Sequence, residues 1–464
     1  VISKVIFSAI LLMLCAISCS ADESVMADWE LVAPGEVGLD AKILEGLQEK
    51  IATGAYPNVH GVLVARHGKL AFEKYTGEYG ATVRHYTASV SKSVGSILVG
   101  LLLDRGAIEG ARELGVDTPL FELLPDHQDI FDENPQKRAL LLRHVLTMSD
   151  GLEWDESTYP YSDMRNDWHK ASVSEDPVAY ALSRPLANDP GKVFNYNGGM
   201  SIILSYLVQH VTGKPADEFA EERLLGPLGI DDFEWERLGS GLCDTDGGLH
   251  LRPRDMAKLG QLLLQKGMWN GKRIISEEWV QESTRVHMAS DDSPGYGFQW
   301  WCGDLQLFGG EIYTFLASGH GGQRIHVFPS LDLIVVIVSQ VFNNPMGDLV
   351  CNAIANRCVE AATEPLSGLP GTGEIDAGRL ADYAGSWGKG DLGIEISLID
   401  GILHAETEGA PVLKLVPSGP GKFVGTAFDF FDMYFEFEKD DTGTLTTLTV
   451  RFGFRKERLE RHEG

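Results

Sequence analysis

Hydrophobic positions along this chain switch between two periods. From Gly61 to Gly77 the run GVLVARHGKLAFEKYTG places two apolar strands around His67-Gly68, which predicts a hairpin. From Ser89 the spacing turns helical, with Val90, Val94, Ile97, Leu98, Leu101 and Leu102 on a 3.6-residue period that stops at Arg105-Gly106. The middle of the chain, about residues 140–281, is helix-rich: LLLRHVLTMSDGL, SIILSYLVQHVTG and RPRDMAKLGQLLLQKG each carry helical spacing and end near glycine. Strand character returns at YGFQWWCG and continues through GGQRIHVFPSLDLIVVIVSQ, where Pro329 to Asp332 turns one strand into the next, before a helix over about residues 345–361. Strands at both ends of this unit and helices between them predict an α+β arrangement, one sheet assembled from both chain ends with a helical insertion.

Beyond it, TEPLSGLPGTGE reads as a linker. The remainder alternates apolar and polar residues between turns at Asp400-Gly401 and Asp441-Gly443, as a small all-β sandwich or barrel does. The expected organisation is a signal segment at 1–21, a main domain at 22–362, a linker at 363–375 and a β domain at 376–464.

Composition narrows the function. The 464 residues carry 67 acidic against 39 basic side chains, a formal charge of −28, so the surface repels phosphate backbones and nucleic acid is excluded as a partner. Lys4 followed by the apolar run VIFSAILLMLCAIS and small residues reads as an export signal. Two processing outcomes stay open: cleavage near Ala21, or a lipid anchor on Cys19 after the lipobox-like AISC. The protein is therefore expected in the periplasm, outside the cell, or on a bacterial outer membrane. Export permits disulfides, and a Cys243–Cys302 bridge is left open, whereas Cys351 and Cys358, two helical turns apart at roughly 10 Å, are beyond bridging reach. No Cys-x-x-Cys or His-Glu-x-x-His run occurs, so neither metal nor other cofactor is expected.

The candidate chemistry sits in YTASVSKSVGSILVG. Ser89 and Lys92 are three residues apart, hence neighbours on one helix face, so an amine lies beside a hydroxyl that needs a proton acceptor to become a nucleophile. The helix N-terminus adds partial positive charge and free N–H groups where an oxyanion can form. A capping serine followed by a surface lysine would look the same in sequence, and Ser386-x-x-Lys389 repeats the spacing in a β-rich region.

The order of further segments separates the two. With HYTASVSKSVGSILVG come LRHVLTMSDGLEWDE, DPGKVFNYNGGMSIILSYLVQHVTGKP, PLGI, RPRDMAKLG, YGFQWW and ASGHGGQ…FPSLDLIVVI. Over about residues 39–361 this resembles the serine β-lactamase and penicillin-binding-protein superfamily, in particular its class C-like branch of esterases, D-amino-acid peptidases, carboxypeptidases and 6-aminohexanoate-oligomer hydrolases. The resemblance implies a β-lactamase-like antiparallel sheet with Ser89 as acyl-accepting nucleophile and Lys92 as its proton partner. It implies Tyr196 as the relay that serves the leaving group and deacylating water. Backbone N–H groups of Ser89 and Gln323 would form the oxyanion hole, and His320, Gly321 and Gly322 stand where a Lys-Thr-Gly motif is usual.

The chain departs from the pattern at Gly198, where an asparagine is usual, leaving Asn197 to supply the amide. Arg324 is the candidate replacement for the missing lysine cation, Gly321 and Gly322 keep the strand edge open to substrate, and Trp300 and Trp301 wall the pocket. The implied activity is hydrolysis of a small ester, amide or peptide through an acyl-enzyme. A peptidoglycan D,D-carboxypeptidase or D-aminopeptidase, a weak β-lactamase and a non-catalytic penicillin-recognising binding or scaffold protein are the alternatives.

Overall fold

The computed structural model of the chain describes residues 29–104, 114–289, 294–307, 310–342, 346–362, 377–389, 392–407, 412–427 and 431–462. The signal segment with Cys19 and the linker lie outside the described residues.

The hairpin read from the sequence is β1 (Val59–Arg66) and β2 (Lys69–Tyr75), joined by His67 at φ 54° and Gly68 at φ 74°, the positive-φ pair a tight two-residue turn requires. They join a seven-stranded sheet in the order β2-β1-β12-β11-β10-β9-β8. The other five strands of this sheet are β8 (Gly295–Tyr296), β9 (Trp301–Leu307), β10 (Gly310–Gly319), β11 (Gln323–Phe328) and β12 (Leu333–Ser339). β1 pairs antiparallel with β12, so strands from the two ends of the domain meet inside one open sheet.

Strand β10 is absent from the sequence reading. From Thr314 to Ala317 every residue is buried, so no polar alternation marks it. The sheet is covered on both sides: Leu63, Ile334 and Val336 belong to one apolar cluster, and Val62, Val64, Val335 and Ile337 to the other.

The first cluster holds α2 (Val90–Leu103), α3 (Gly198–Thr212) and α4 (Pro253–Leu264); the second holds α1 (Ala41–Ala52) and α5 (Met346–Ala362). A small sheet, β3 (His85–Tyr86), β5 (Leu249–Leu251) and β4 (Phe233–Trp235), leads directly into α2. β6 (Met268–Trp269) and β7 (Lys272–Arg273) form a separate ribbon.

The C-terminal part is a closed antiparallel barrel of β13 (Gly385–Lys389), β14 (Leu392–Ile399), β15 (Ile402–Glu406), β16 (Leu413–Gly419), β17 (Lys422–Ala427), β18 (Phe431–Lys439), β19 (Leu445–Phe452) and β20 (Arg455–Arg461). β13 pairs with β20 to close it, which leaves no free sheet edge. Trp387, fully buried, packs edge-on against Phe437 at 5.2 Å inside the barrel. This core runs on into the second cluster of the main domain, and Arg357 of α5 bonds Asp432 of β18 at 2.6 Å.

All four cysteines among the described residues are free and buried. The bridge left open from Cys243 to Cys302 is not formed: Cys243 Sγ donates to Asp217 Oδ1 at 3.0 Å and Cys302 Sγ to the Trp300 carbonyl at 3.4 Å.

Candidate active site

Between β3 and α2 the chain turns through Ala88 at φ 48°, and Ser89 follows at the head of a 14-residue helix. The serines crowded there do different jobs. Ser91 Oγ donates to the Ala88 carbonyl at 2.8 Å and accepts from the Leu249 N–H at 3.0 Å, and Ser93 Oγ donates to the Gln299 carbonyl at 2.6 Å, so both fix the helix in place. Ser89 makes no side-chain cap bond. Its Oγ instead accepts from Lys92 Nζ at 3.0 Å, and its hydroxyl is hydrogen-bonded to Tyr196. The competing match at Ser386 lies on strand β13, where the serine bonds Glu395.

Lys92 is almost fully buried, and its Nζ also donates to the Asp246 carbonyl oxygen at 3.1 Å and pairs with Asp246 Oδ1. Burial alone would lower the ammonium pKa; Asp246, then Tyr196 and Glu156, outweigh it and hold Lys92 well above its usual value. Tyr196 stands 4.9 Å from Lys92 Nζ, measured to its ring centroid, and lies parallel to Trp301 at 5.8 Å. Burial raises its phenol pKa and Lys92 pulls it down, and the net direction is up because Asp246 and Glu156 add to burial.

Asp246 and Glu156 are the residues that the sequence reading missed. Glu156 Oε2 accepts from Trp154 Nε1 and from the Gly198 N–H, both at 2.6 Å, and Oε1 accepts from Tyr161 OH at 3.2 Å. Burial, reinforced by Asp246, pushes its pKa up to about 7. Gly198, where asparagine is usual, has no room for a side chain: a Cβ there would lie 2.5 Å from Asp246 Oδ1 and 2.9 Å from Glu156 Oε2. The two carboxylates occupy the space beside Lys92 that an asparagine would need. Their only advance signal is two acid-bearing loops, GLEWDE and CDTDGG, far from the motif serine in sequence.

The cleft beside Ser89 measures about 330 Å³ and is lined by Tyr161, Tyr196, Trp301, Arg324 and the backbone from Ser318 to Gly322. It adjoins a space of about 460 Å³ under the loop from Ser157 to Tyr161. His320 is exposed between them, its ring 5.6 Å from Tyr161 and 5.2 Å from Phe342.

Five expectations need correcting. Asn197 is fully buried and its amide donates to Asp150 Oδ1 at 3.2 Å, away from the cleft. Trp300 is a core residue packed on Phe315 at 5.7 Å, and only Trp301 faces the cleft. Arg324 lines the cleft, but its guanidinium is tied to the Gly319 carbonyl at 2.8 Å, the Gln323 carbonyl at 3.0 Å and Asp348. Gly321 and Gly322 are required by φ of 83° and 91°, and by Phe342 and Ser339, which a Cβ at each would strike, rather than by room for substrate.

Gln323, the fifth, pairs with Gly319 across the β10–β11 hairpin and is 2% exposed, outside the residues that line the cleft. The Gly319 carbonyl accepts the Gly322 N–H at 3.1 Å inside the turn. In a trans peptide the N–H opposes the C=O, so the His320 N–H points the other way, off the hairpin edge.

A family model described as Beta-lactamase matches residues 39–356. The 6-aminohexanoate-dimer hydrolase of Paenarthrobacter ureafaciens is 26% identical over 316 residues, 64% of this chain and 74% of that protein. Among solved structures, a putative 6-aminohexanoate-dimer hydrolase from Bacillus anthracis superposes with TM-score 0.55 at 20% identity, covering 67% of this chain and 81% of that one. An octameric penicillin-binding protein homologue from Pyrococcus abyssi gives TM-score 0.55 at 18% identity over 90% of this chain and 99% of that one. The D-amino acid amidase of Ochrobactrum anthropi SV3 gives 0.52 at 17% identity, over 69% and 99%. With the family match spanning well over half its length, the chain belongs to the Beta-lactamase family and is a serine hydrolase of the serine β-lactamase and penicillin-binding-protein superfamily.

Proposed function

We propose that the protein hydrolyses ester or amide bonds of small acyl compounds through an acyl-enzyme on Ser89. The observation that carries this reading is the 3.0 Å bond from Lys92 Nζ to a Ser89 Oγ that is not spent on capping its helix. Because Asp246 keeps Lys92 protonated, the lysine donates to Ser89, and the serine proton moves to Tyr196 in its phenolate form, which Lys92 favours against burial, Asp246 and Glu156. Ser89 Oγ bonds to the substrate carbonyl carbon, whose oxygen collects the negative charge at the N–H groups of Ser89 and His320. Tyr196 then protonates the departing alkoxide or amine, and a water, deprotonated by the same phenol oxygen, adds to the acyl carbon and releases the acid as Ser89 Oγ takes that proton back.

Substrate class follows from what the cleft holds. Its guanidinium, Arg324, is already neutralised by Asp348, which favours uncharged acyl groups over the carboxylate of penicillins. Relatives named as a 6-aminohexanoate-dimer hydrolase and a D-amino acid amidase support small amides beside esters. The binding-protein alternative accounts for neither the uncapped serine nor the buried lysine next to it.

The test is p-nitrophenyl acetate turnover by wild type and Ser89→Ala, with intact-mass measurement after a fluorophosphonate. Turnover and one added phosphonyl mass in the wild type, and neither in the variant, are expected. Equal turnover in both proteins overturns the reading.

A further inference from the structure

The cleft continues past Ser89. Trp301, Ser318, Arg324 and Asp348 line the site cavity and also line a second one of about 600 Å³. The far wall of this second cavity is not part of the hydrolase domain: it is Phe452 to Arg455, the turn between β19 and β20 of the barrel.

Three contacts hold that turn in place. The Gln306 N–H on β9 donates to the Gly453 carbonyl at 2.6 Å. Gly453 takes φ 54°, and a Cβ there would come 3.0 Å from Asn352 Nδ2 on α5, so the turn is seated closely on that helix. Arg357 to Asp432, at 2.6 Å, fixes the barrel to the same helix from further back.

The lining is mostly apolar. Phe452 and Phe454 from the barrel face Leu349, Leu316, Phe194 and Trp301 from the main domain. Phe452 and Phe454 are half-buried, so an apolar group entering from the cleft would complete their burial. Ser318, at the junction, places the scissile carbonyl and this space on the same stretch of β10.

We propose that the β19–β20 turn of the barrel forms a specificity subsite for the hydrolase, taking an aromatic or medium-chain aliphatic group attached on one side of the scissile bond. The proposal rests on the Ser89 acyl-enzyme reading and adds the substrate class and the barrel's part in selecting it. The substrate it describes carries an uncharged apolar group several carbons from the cleaved carbonyl, long enough to reach past the cleft at Ser89.

The experiment varies each side of the ester separately: p-nitrophenyl acetate against p-nitrophenyl octanoate, and ethyl acetate against 2-phenylethyl acetate. On one side the wild type prefers the larger group, by about tenfold in kcat/KM. Phe454→Asp lowers that preference by about tenfold and Phe454→Leu retains most of it, because a carboxylate repels the apolar group and leucine does not. Leu349→Asp, on the opposite wall, gives the same loss and serves where Phe454→Asp does not fold, as judged by thermal melting.

If acetate turnover depends on Ser89 yet no preference exists on either side, or the preference survives in folded Phe454→Asp and Leu349→Asp, the subsite is overturned and the hydrolase reading stands. If acetate turnover does not depend on Ser89, the hydrolase reading falls, and the subsite with it.

Discussion

Lys92 is shared between Ser89 and Asp246, and the carboxylate has the stronger claim: the ammonium bonds Ser89 Oγ at 3.0 Å but forms a direct ion pair with Asp246, both side chains almost completely enclosed. A lysine held this way is a fixed cation. Asp246→Asn therefore leaves a buried charge without its partner, and a loss of about 3 kcal/mol in unfolding free energy is expected. Removing the charge as well, in Lys92→Met with Asp246→Asn, recovers much of that stability while esterase activity stays lost. Denaturant melts of the two proteins check this; a double variant less stable than Asp246→Asn would show that the pair is not the source of the loss.

Gly198 is the position at which this chain trades a side chain for that carboxylate. In Gly198→Ala the new methyl would displace Asp246 or Glu156, each already held by fixed donors. The expected result is a loss of roughly 1 to 3 kcal/mol together with a fall in kcat. An alanine variant with wild-type melting and turnover would mean that the carboxylates are free to move aside.

These two positions also show where sequence reasoning stopped. Ser89 and Lys92 were legible because three residues of helix fix their adjacency whatever the rest of the chain does. Asp246 lies 154 residues from Lys92, and Glu156 lies 42 from Gly198, on loops without a period, so only the fold brings them together. Trp300 lies just before β9 and Trp301 opens it, one in the core and the other in the cleft, a one-residue parity that no alternating pattern marks at a strand start.

The outward-facing amide of the 320–322 turn was hidden for a related reason, since it is set by the Gly322 N–H to Gly319 carbonyl bond that only the folded turn makes. By contrast, an all-β C-terminal domain, sandwich or barrel, and a sheet built from both ends of the main domain were legible from alternation and turn residues that act over ten residues or fewer.

The free thiols give a direct test of the cysteine assignment. Cys243, Cys302, Cys351 and Cys358 are buried and unbridged. In protein starting at Trp29, Ellman's reagent is expected to label none of them in the native state and all of them in denaturant, with unchanged mobility under non-reducing conditions. A native protein with two fewer titratable thiols after denaturation would instead mean that a pair has oxidised.

Glu156 makes both stability and catalysis depend on pH. Its carboxyl ionises near 4.5 in an open chain and near 7 in the fold, chiefly because it is buried and next because Asp246 is close. Between these values the folded protein holds a proton that the unfolded chain has given up, so raising the pH through this window removes stability. Buried His60 and His326 are shifted down, to about 4 and about 3, and act in the opposite sense, so the comparison must be with Glu156→Gln rather than across pH alone. The melting temperature of Glu156→Gln minus that of wild type is expected to increase from pH 5 to pH 7 and then level off.

The same ionisation puts a negative charge near Tyr196 and raises its pKa further, so the acid limb of kcat/KM in Glu156→Gln moves to lower pH. Tyr161, whose hydroxyl bonds Glu156 Oε1, keeps a neutral partner in the glutamine variant. A melting difference independent of pH, together with an unshifted acid limb, would place the titration of this site on another group.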